Sequence, residues 1–289
     1  MSAWPIMIAL FLLTACGGGQ LQSGATKGGE GKLLVVTTTA VLADLVENVG
    51  GEWVETRSLV PPGADVHSFQ TTPEDSIAIN RARVIVTNGF GLDAFLDPVL
   101  ESARGEYSIR VVAAGGLMSG EDDPHLWQNP VFALSYVERI RDGLIAVDPE
   151  HGAQFADNAQ AYINELWELD LELEQTLNQV KPEFRHLITY HDAFGHLAER
   201  YGWESSAFVA SDADEVSPAS VVKILDRIIQ QGIPAIFVGP QFSSNVVRRA
   251  AEDSGIAVGT IYSDISENEA TSYIEMMRLN ARSLVKNLR

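Results

Sequence analysis

Four residues of this chain combine ligand chemistry with a recurring position. His67 lies in "VPPGADVHSFQTTPED", His125 in "EDDPHLWQNP", His191 in "LITYHDAFG" and Asp264 in "TIYSDISEN". Each ends or follows a short β-branched run that reads as a strand. In open parallel sheets, ligands are held by the loops beyond the carboxyl ends of strands. Three imidazoles and one carboxylate form a donor set of borderline softness, suited to a divalent transition ion and above all to tetrahedral zinc, with Zn–N distances of about 2.0–2.1 Å. Four protein ligands leave no open position for an activated water, so the set points to binding rather than hydrolysis. An imidazole binds metal only when neutral, and unperturbed histidine titrates near about pH 6.5, so affinity should fall below about pH 6.

The chain has six histidines, and the other three fall elsewhere. His151 sits at a helix start, His186 at a strand start and His196 within a helix, where surface or structural roles suffice. His196 follows His191 by five residues, which at 3.6 residues per turn is about 500° of rotation and turns it away from a ligand at the helix entrance.

The elements that must position these residues alternate along the chain. "KLLVVTTTA", "WVETRSLV", "RVIVTNG" and "YSIRVVAA" read as strands, followed after a long helical stretch by "HLITYH", "WESSAFVA", "IPAIFVGP" and "AVGTIYSD". Helices between them carry start signals: Thr72 before Pro73, Asn129 before Pro130 and Ser217 before Pro218 each place a capping side chain ahead of a proline at the first helical position. Strands alternating with helices imply parallel sheets with right-handed crossovers. Residues 148–181 interrupt the alternation with a heptad-like stripe running Phe155, Ala159, Tyr162, Leu166, Leu169, Leu173, Leu177. The expected fold is therefore α/β with two similar lobes, residues 33–147 and 182–289, each a mainly parallel four-stranded sheet flanked by helices, joined by one long backbone helix over 148–181.

The chain of 289 residues has 39 acidic against 20 basic side chains, a net charge of −19 that repels phosphate backbones and disfavours nucleic acid as a partner. The apolar run within residues 1–15 is too short to span a bilayer and reads as a signal peptide, although no lysine or arginine precedes it. The only cysteine, Cys16, closes "LLTAC", which resembles the bacterial lipoprotein processing box. Cleavage there would leave residues 16–32 as a lipidated N-terminus followed by a glycine-rich tether, with membrane contact only through the lipid.

The stretches "PPGADVHSFQTTPED", "DPHLWQNP", "HDAFGHLAERYG", "SPASVVKIL", "IFVGPQFSSNVVRRAAEDSG" and "SYIEMMRLN", in order over residues 33–289, resemble the zinc and manganese solute-binding lipoproteins of bacterial ABC importers. The resemblance implies that His67, His125, His191 and Asp264 are the metal ligands. It further implies an extracytoplasmic, lipid-anchored receptor that delivers its ion to a cytoplasmic-membrane permease driven by a separate ATPase, with modest lobe movement. Manganese-selective members of that family carry glutamate at the third position, so His191 favours zinc, with manganese next. Two departures stand out: "AGGLMSGEDDP" replaces the long histidine-rich loop of many zinc-specific members, and Gly239 stands where the family often has glutamate.

The rival reading is a lipid-anchored zinc hydrolase with Asp192 or Glu215 as base, but no compact HExxH motif is present. A receptor for a siderophore or cobalamin, or a surface adhesin, is the other alternative; a chelate would need aromatic and arginine contacts rather than ion-sized ligands.

Overall fold

The computed structural model describes residue 1 and residues 31–102, 109–117, 123–209, 218–242 and 244–289. The leader from residue 2, Cys16, nearly all of the tether, Glu215 and the capping residue Ser217 lie outside the described residues.

Eight short strands form two parallel sheets. The first contains β1 (Leu33–Thr37), β2 (Val54–Ser58), β3 (Val84–Thr87) and β4 (Ile109–Val112) in the order β2-β1-β3-β4. The second contains β5 (His186–His191), β6 (Glu204–Val209), β7 (Ala235–Val238) and β8 (Ala257–Thr260) in the order β6-β5-β7-β8. Central strands β3 and β7 are buried at every position and are almost wholly apolar, whereas the edge strand β2 alternates, as expected where one flank of a parallel sheet meets solvent. In each sheet the chain reverses direction of travel between the two central strands, and the crevice beyond their carboxyl ends is the natural ligand site.

Helices α1 (Ala40–Gly50), α2 (Pro73–Arg81), α3 (Asp97–Ser102) and α4 (Pro130–Val147) flank the first sheet, and α6 (Gly195–Arg200), α7 (Pro218–Gln231), α8 (Asn245–Asp253) and α9 (Tyr273–Asn287) belong to the second half. The start signals act as the sequence implies. Thr72 accepts from the Asp75 N–H while Asp75 accepts from the Thr72 N–H, a reciprocal capping box ahead of Pro73. The Asn129 side chain accepts from Val131 N–H at 3.0 Å. Gly51, at φ 55°, ends α1 where a residue with a Cβ would be strained.

The long helix is shorter than its stripe suggested. α5 spans Gly152–Leu177, 26 residues or about 39 Å at 1.5 Å each, preceded by a separate short turn over Pro149–His151. Asp148 is the break: its φ of −134° lies outside the helical region, so α4 ends there and the chain redirects before α5. Phe155, Ala159, Tyr162, Leu166, Leus 169, 173 and 177 are all buried, as the spacing required. α5 packs against α1, α4 and α9. Consequently one continuous cluster of buried apolar side chains runs from Val35 and Leu45 through Tyr136, Leu166 and Leu169 to Phe237, Tyr273 and Leu284. A smaller cluster around Val36, Ile79, Ile85 and Leu96 lies between the first sheet and α2.

Candidate metal centre

Each imidazole is delivered by a short, locally determined turn. His67 lies in a single helical turn, Val66–Ser68, whose preceding Asp65 accepts from the His67 N–H at 3.1 Å. His191 is the last residue of β5, fixed by its ladder to β6. His125 follows β4 and opens a turn over Leu126–Gln128; Asp123 Oδ1 accepts both its N–H, at 2.9 Å, and its ring Nδ1–H, at 2.7 Å. An ionised carboxylate can only accept, so His125 Nδ1 carries a hydrogen, and in the neutral ring, the form that binds metal, Nε2 is then the nitrogen with the lone pair. The Asp123 carboxyl is itself buried, which would raise its pKa, but the hydrogen bonds from the ring and backbone of His125 help to outweigh this and hold it below the usual carboxylate value.

These turns bring His67, His125 and His191 together, with one ligand atom from each lying within 4.8 Å of the others. No other such group of three occurs among the described residues. His125 Nε2 and His191 Nε2 are 3.3 Å apart. Two nitrogens bound about 2.0–2.1 Å from a tetrahedral ion would be separated by about 3.3–3.4 Å, so this pair already has the spacing of an occupied edge. Asp264 is not in the three-imidazole group, yet it lines the same cavity, which measures about 20 Å³ and has room for a single ion or water but not for an organic chelate.

Asp264 is held in an unusual way for a strand-end aspartate. It lies four residues beyond β8, and its Oδ1 accepts from Ile265 N–H at 2.7 Å and, across the seam, from Val41 N–H at 2.8 Å in the first turn of α1. The residue before α1, Thr39, makes no side-chain cap of its own. An aspartate from the second half thus serves the helix start of the first. The reverse also occurs: Asp44 of α1 accepts from Tyr273 N–H at 3.0 Å, at the start of α9, and from Tyr162 of α5 at 3.3 Å. Further bonds close the seam, with Trp127 Nε1–H and Gln128 Nε2–H both donating to Ser263 O at 2.9 and 3.0 Å, and Gly63 N–H donating to Ile265 O at 2.9 Å.

Burial pushes the Asp264 carboxyl from 3.8 up to about 6, offset only partly by the N–H groups of Ile265 and Val41. The sign follows directly. The folded, metal-free protein binds this proton more tightly than the unfolded chain, so Asp264 lends stability at low pH that is lost as pH rises through about 6. Asp264→Asn should therefore raise the metal-free Tm at pH 7.5, by about 3 °C for each kcal/mol relieved, and the gain should vanish near pH 4. Calorimetry at the two pH values checks this; equal shifts at both would rule out the carboxyl's desolvation as the cause.

His196 plays a structural role, as read from sequence, but not for the reason of helical rotation. The three residues between His191 and α6 are not helical, so rotation about a helix axis does not govern its direction. His196 is buried, outside the three-imidazole group, and its Nε2 lies 3.1 Å from the carbonyl oxygen of Asp123. His151 and His186 are satisfied locally, His151 by Asp148 at 2.7 Å and by stacking on Trp53, His186 by Ser206 at 3.0 Å. At Gly239, a Cβ would come within 2.6 Å of Gln241 Oε1, because the Gln241 side chain occupies that space. Gln241 lines the cavity and donates to Ser263 Oγ at 2.8 Å, next to Asp264. Asp123, Trp127, Gln241 and Ser263 were not singled out from sequence, since nothing in their spacing announces contacts made across the seam.

The family model of the zinc-uptake complex component A, periplasmic (ZnuA), matches residues 35–287. The chain belongs to this ZnuA family. Among similar proteins, the manganese-binding lipoprotein MntA of Halalkalibacterium halodurans is 28% identical over 98% of this chain and 97% of its own length. The iron-binding protein YfeA of Yersinia pestis is 31% identical over 88% of this chain and 86% of its own. The solved periplasmic zinc-binding protein TroA from Treponema pallidum superposes with a TM-score of 0.81 at 29% identity, covering 89% of this chain and 99% of that one. Membership of the ZnuA family makes the chain a metal-binding component of an ABC uptake system and not an enzyme. The hydrolase alternative falls with that finding.

Proposed function

We propose that this ZnuA-family chain captures a single divalent transition ion through His67, His125, His191 and Asp264 and passes it to an ABC permease of the cytoplasmic membrane powered by a separate ATPase. The observation that carries the reading is the meeting of three imidazoles from three distant loops at an ion-sized cavity on the seam between the sheets. Asp264 supplies the fourth donor. Its carboxylate is held in place beside the imidazoles by backbone N–H groups of Val41 and Ile265, both received on Oδ1. The net charge of −19 favours cation approach.

Zinc is the preferred cargo, with manganese second. Three imidazole nitrogens suit zinc better than manganese, and the 3.3 Å spacing of two of them fits a tetrahedral ion. Relatives named for manganese, iron and zinc make the metal a question for experiment. Titration of the purified, metal-free protein against a chromophoric chelator should give one zinc per chain, bound at least about a hundredfold more tightly than manganese. Equal affinities, or a manganese preference, would overturn the zinc assignment; no stoichiometric binding of either would overturn the receptor.

The same reading places the protein outside the cytoplasm, held to a membrane by lipid on Cys16, with residues 16–32 as the tether and lobes at 33–147 and 182–289. Mass spectrometry of the membrane fraction checks it: a mature chain beginning at unmodified Cys16, or at any other residue, excludes the anchor. Because one apolar core is continuous across both sheets, ion capture proceeds by small movements of the ligand loops rather than by hinge closure.

A further inference from the structure

We infer that Asp123 is a positioning residue, which fixes the hydrogen of His125 on Nδ1 and ties that imidazole to the opposite lobe through His196. The inference rests on the proposed ligand role of His125 and goes beyond it, since Asp123 lies outside the four ligands.

Three observations support it. First, Asp123 Oδ1 accepts from both the backbone and the ring of His125, at 2.9 and 2.7 Å, so the ring can neither slide along nor turn over without losing a bond. Such a partner fixes the imidazole's tautomer and raises its basicity toward metal. Second, the same residue is gripped from α6. His196 Nε2 lies 3.1 Å from the Asp123 carbonyl, which can only accept, so His196 donates there; the Oδ2 of Asp123 is 3.7 Å away. Gly195 permits this approach, because a Cβ at that position would stand 3.1 Å from Asp123 Oδ2. Third, the grip is repeated on the other side of His125, where Trp127 donates to Ser263 O beside Asp264. His125 is thus held between two bonds to the second half, one two residues before it and one two residues after.

The arrangement also accounts for the contact between the two Nε2 atoms. With His125 Nε2 unprotonated, a hydrogen in its 3.3 Å contact with His191 belongs to His191 Nε2, and for an ion to bind there that hydrogen must move to His191 Nδ1.

The test uses the full-length chain, labelled with ¹⁵N and stripped of metal, with zinc as the probe. Long-range ¹H–¹⁵N correlation spectra should show His125 as the Nδ1–H tautomer in the wild type. Asp123→Ala should lose that fixed tautomer and weaken zinc binding about ten- to a hundredfold in chelator competition. Asp123→Asn, which keeps an acceptor, should retain the tautomer and recover most of the affinity. An Nε2–H His125 in the wild type overturns the inference, even if D123A fails to fold. So does D123A that keeps the tautomer or binds zinc within twofold of wild type. D123N that keeps the tautomer yet binds as weakly as D123A also overturns it, in favour of a pure charge effect. His125→Ala separates the two levels: if it binds zinc like the wild type, the ligand assignment fails and the inference with it, whereas a weakened H125A beside an unimpaired D123A removes the inference alone.

Discussion

Replacing His191 by alanine is expected to weaken zinc binding by about a hundred- to a thousandfold. Structural zinc sites with four ligands contribute about 10–16 kcal/mol of apparent binding free energy, or roughly 2.5–4 kcal/mol for each ligand, and each 1.4 kcal/mol is tenfold. His191 should stand near the full value. It is buried at the end of β5, its Nε2 is already 3.3 Å from that of His125, and the ladder to β6 keeps the backbone from shifting to offer a substitute. The ring also rests against Phe242, at 5.2 Å between centroids, so alanine would leave an apolar gap that water fills poorly. Chelator competition on wild type and H191A measures the effect. A loss smaller than about tenfold would remove His191 from the ligand set.

The second large effect concerns stability. Asp170 lies on the inward face of α5, almost wholly buried, where the heptad-like stripe would predict an apolar residue. Its carboxylate receives Arg200 in two-pronged fashion, with Nε at 2.9 Å from Oδ1, and Tyr201 Oη–H at 3.0 Å. Arg200 lies at the end of α6, so the ion pair joins α5 to α6. Arg200→Ala leaves a buried carboxylate with only a tyrosine for company, and breaking such a pair costs about 3–5 kcal/mol. Arg200 is a third exposed, so the lower figure is appropriate, and Tm should drop by about 6–12 °C at neutral pH. Differential scanning calorimetry of R200A gives the answer; a drop below about 2 °C would mean that Asp170 is solvated in the variant or that the pair contributes nothing. Zinc affinity should be preserved within a fewfold, because neither residue lines the cavity.

What sequence alone could disclose divides along a physical line. Strands, helix starts and the stripe of α5 are local properties, written in periods of two and three to four residues and in caps such as Thr72 and Asn129. All of these are visible without knowing the fold. The three imidazoles were legible for a related reason: a parallel α/β lobe sends its strand ends to one side, so strand-end histidines from any such loop are candidates to meet. Contacts across the seam obey no such rule. That His196 would grip Asp123, that Asp264 would serve the first turn of α1, or that Gln241 would fill the space beside Gly239 depends on how two lobes are set against each other. That setting is decided by the packing of α1, α4 and α9 on α5, summed over dozens of side chains, and no short motif encodes it. The boundary at Asp148 was legible, whereas the separate turn over Pro149–His151 and the end of α5 at Leu177 depend on local backbone geometry that the apolar stripe does not mark.

The placement of α9 ties it to α1, more than two hundred residues earlier in the sequence. Its residues Tyr273, Met276, Met277, Ala281 and Leu284 belong to the same interior as Leu42, Leu45 and Val46 near the beginning of the chain, and the first amide of α9 is received by Asp44. Without α9, α1 therefore lacks part of its apolar covering. Loosening at either helix is therefore expected to spread to the other, so α1 and α9 should lose protection from amide exchange together.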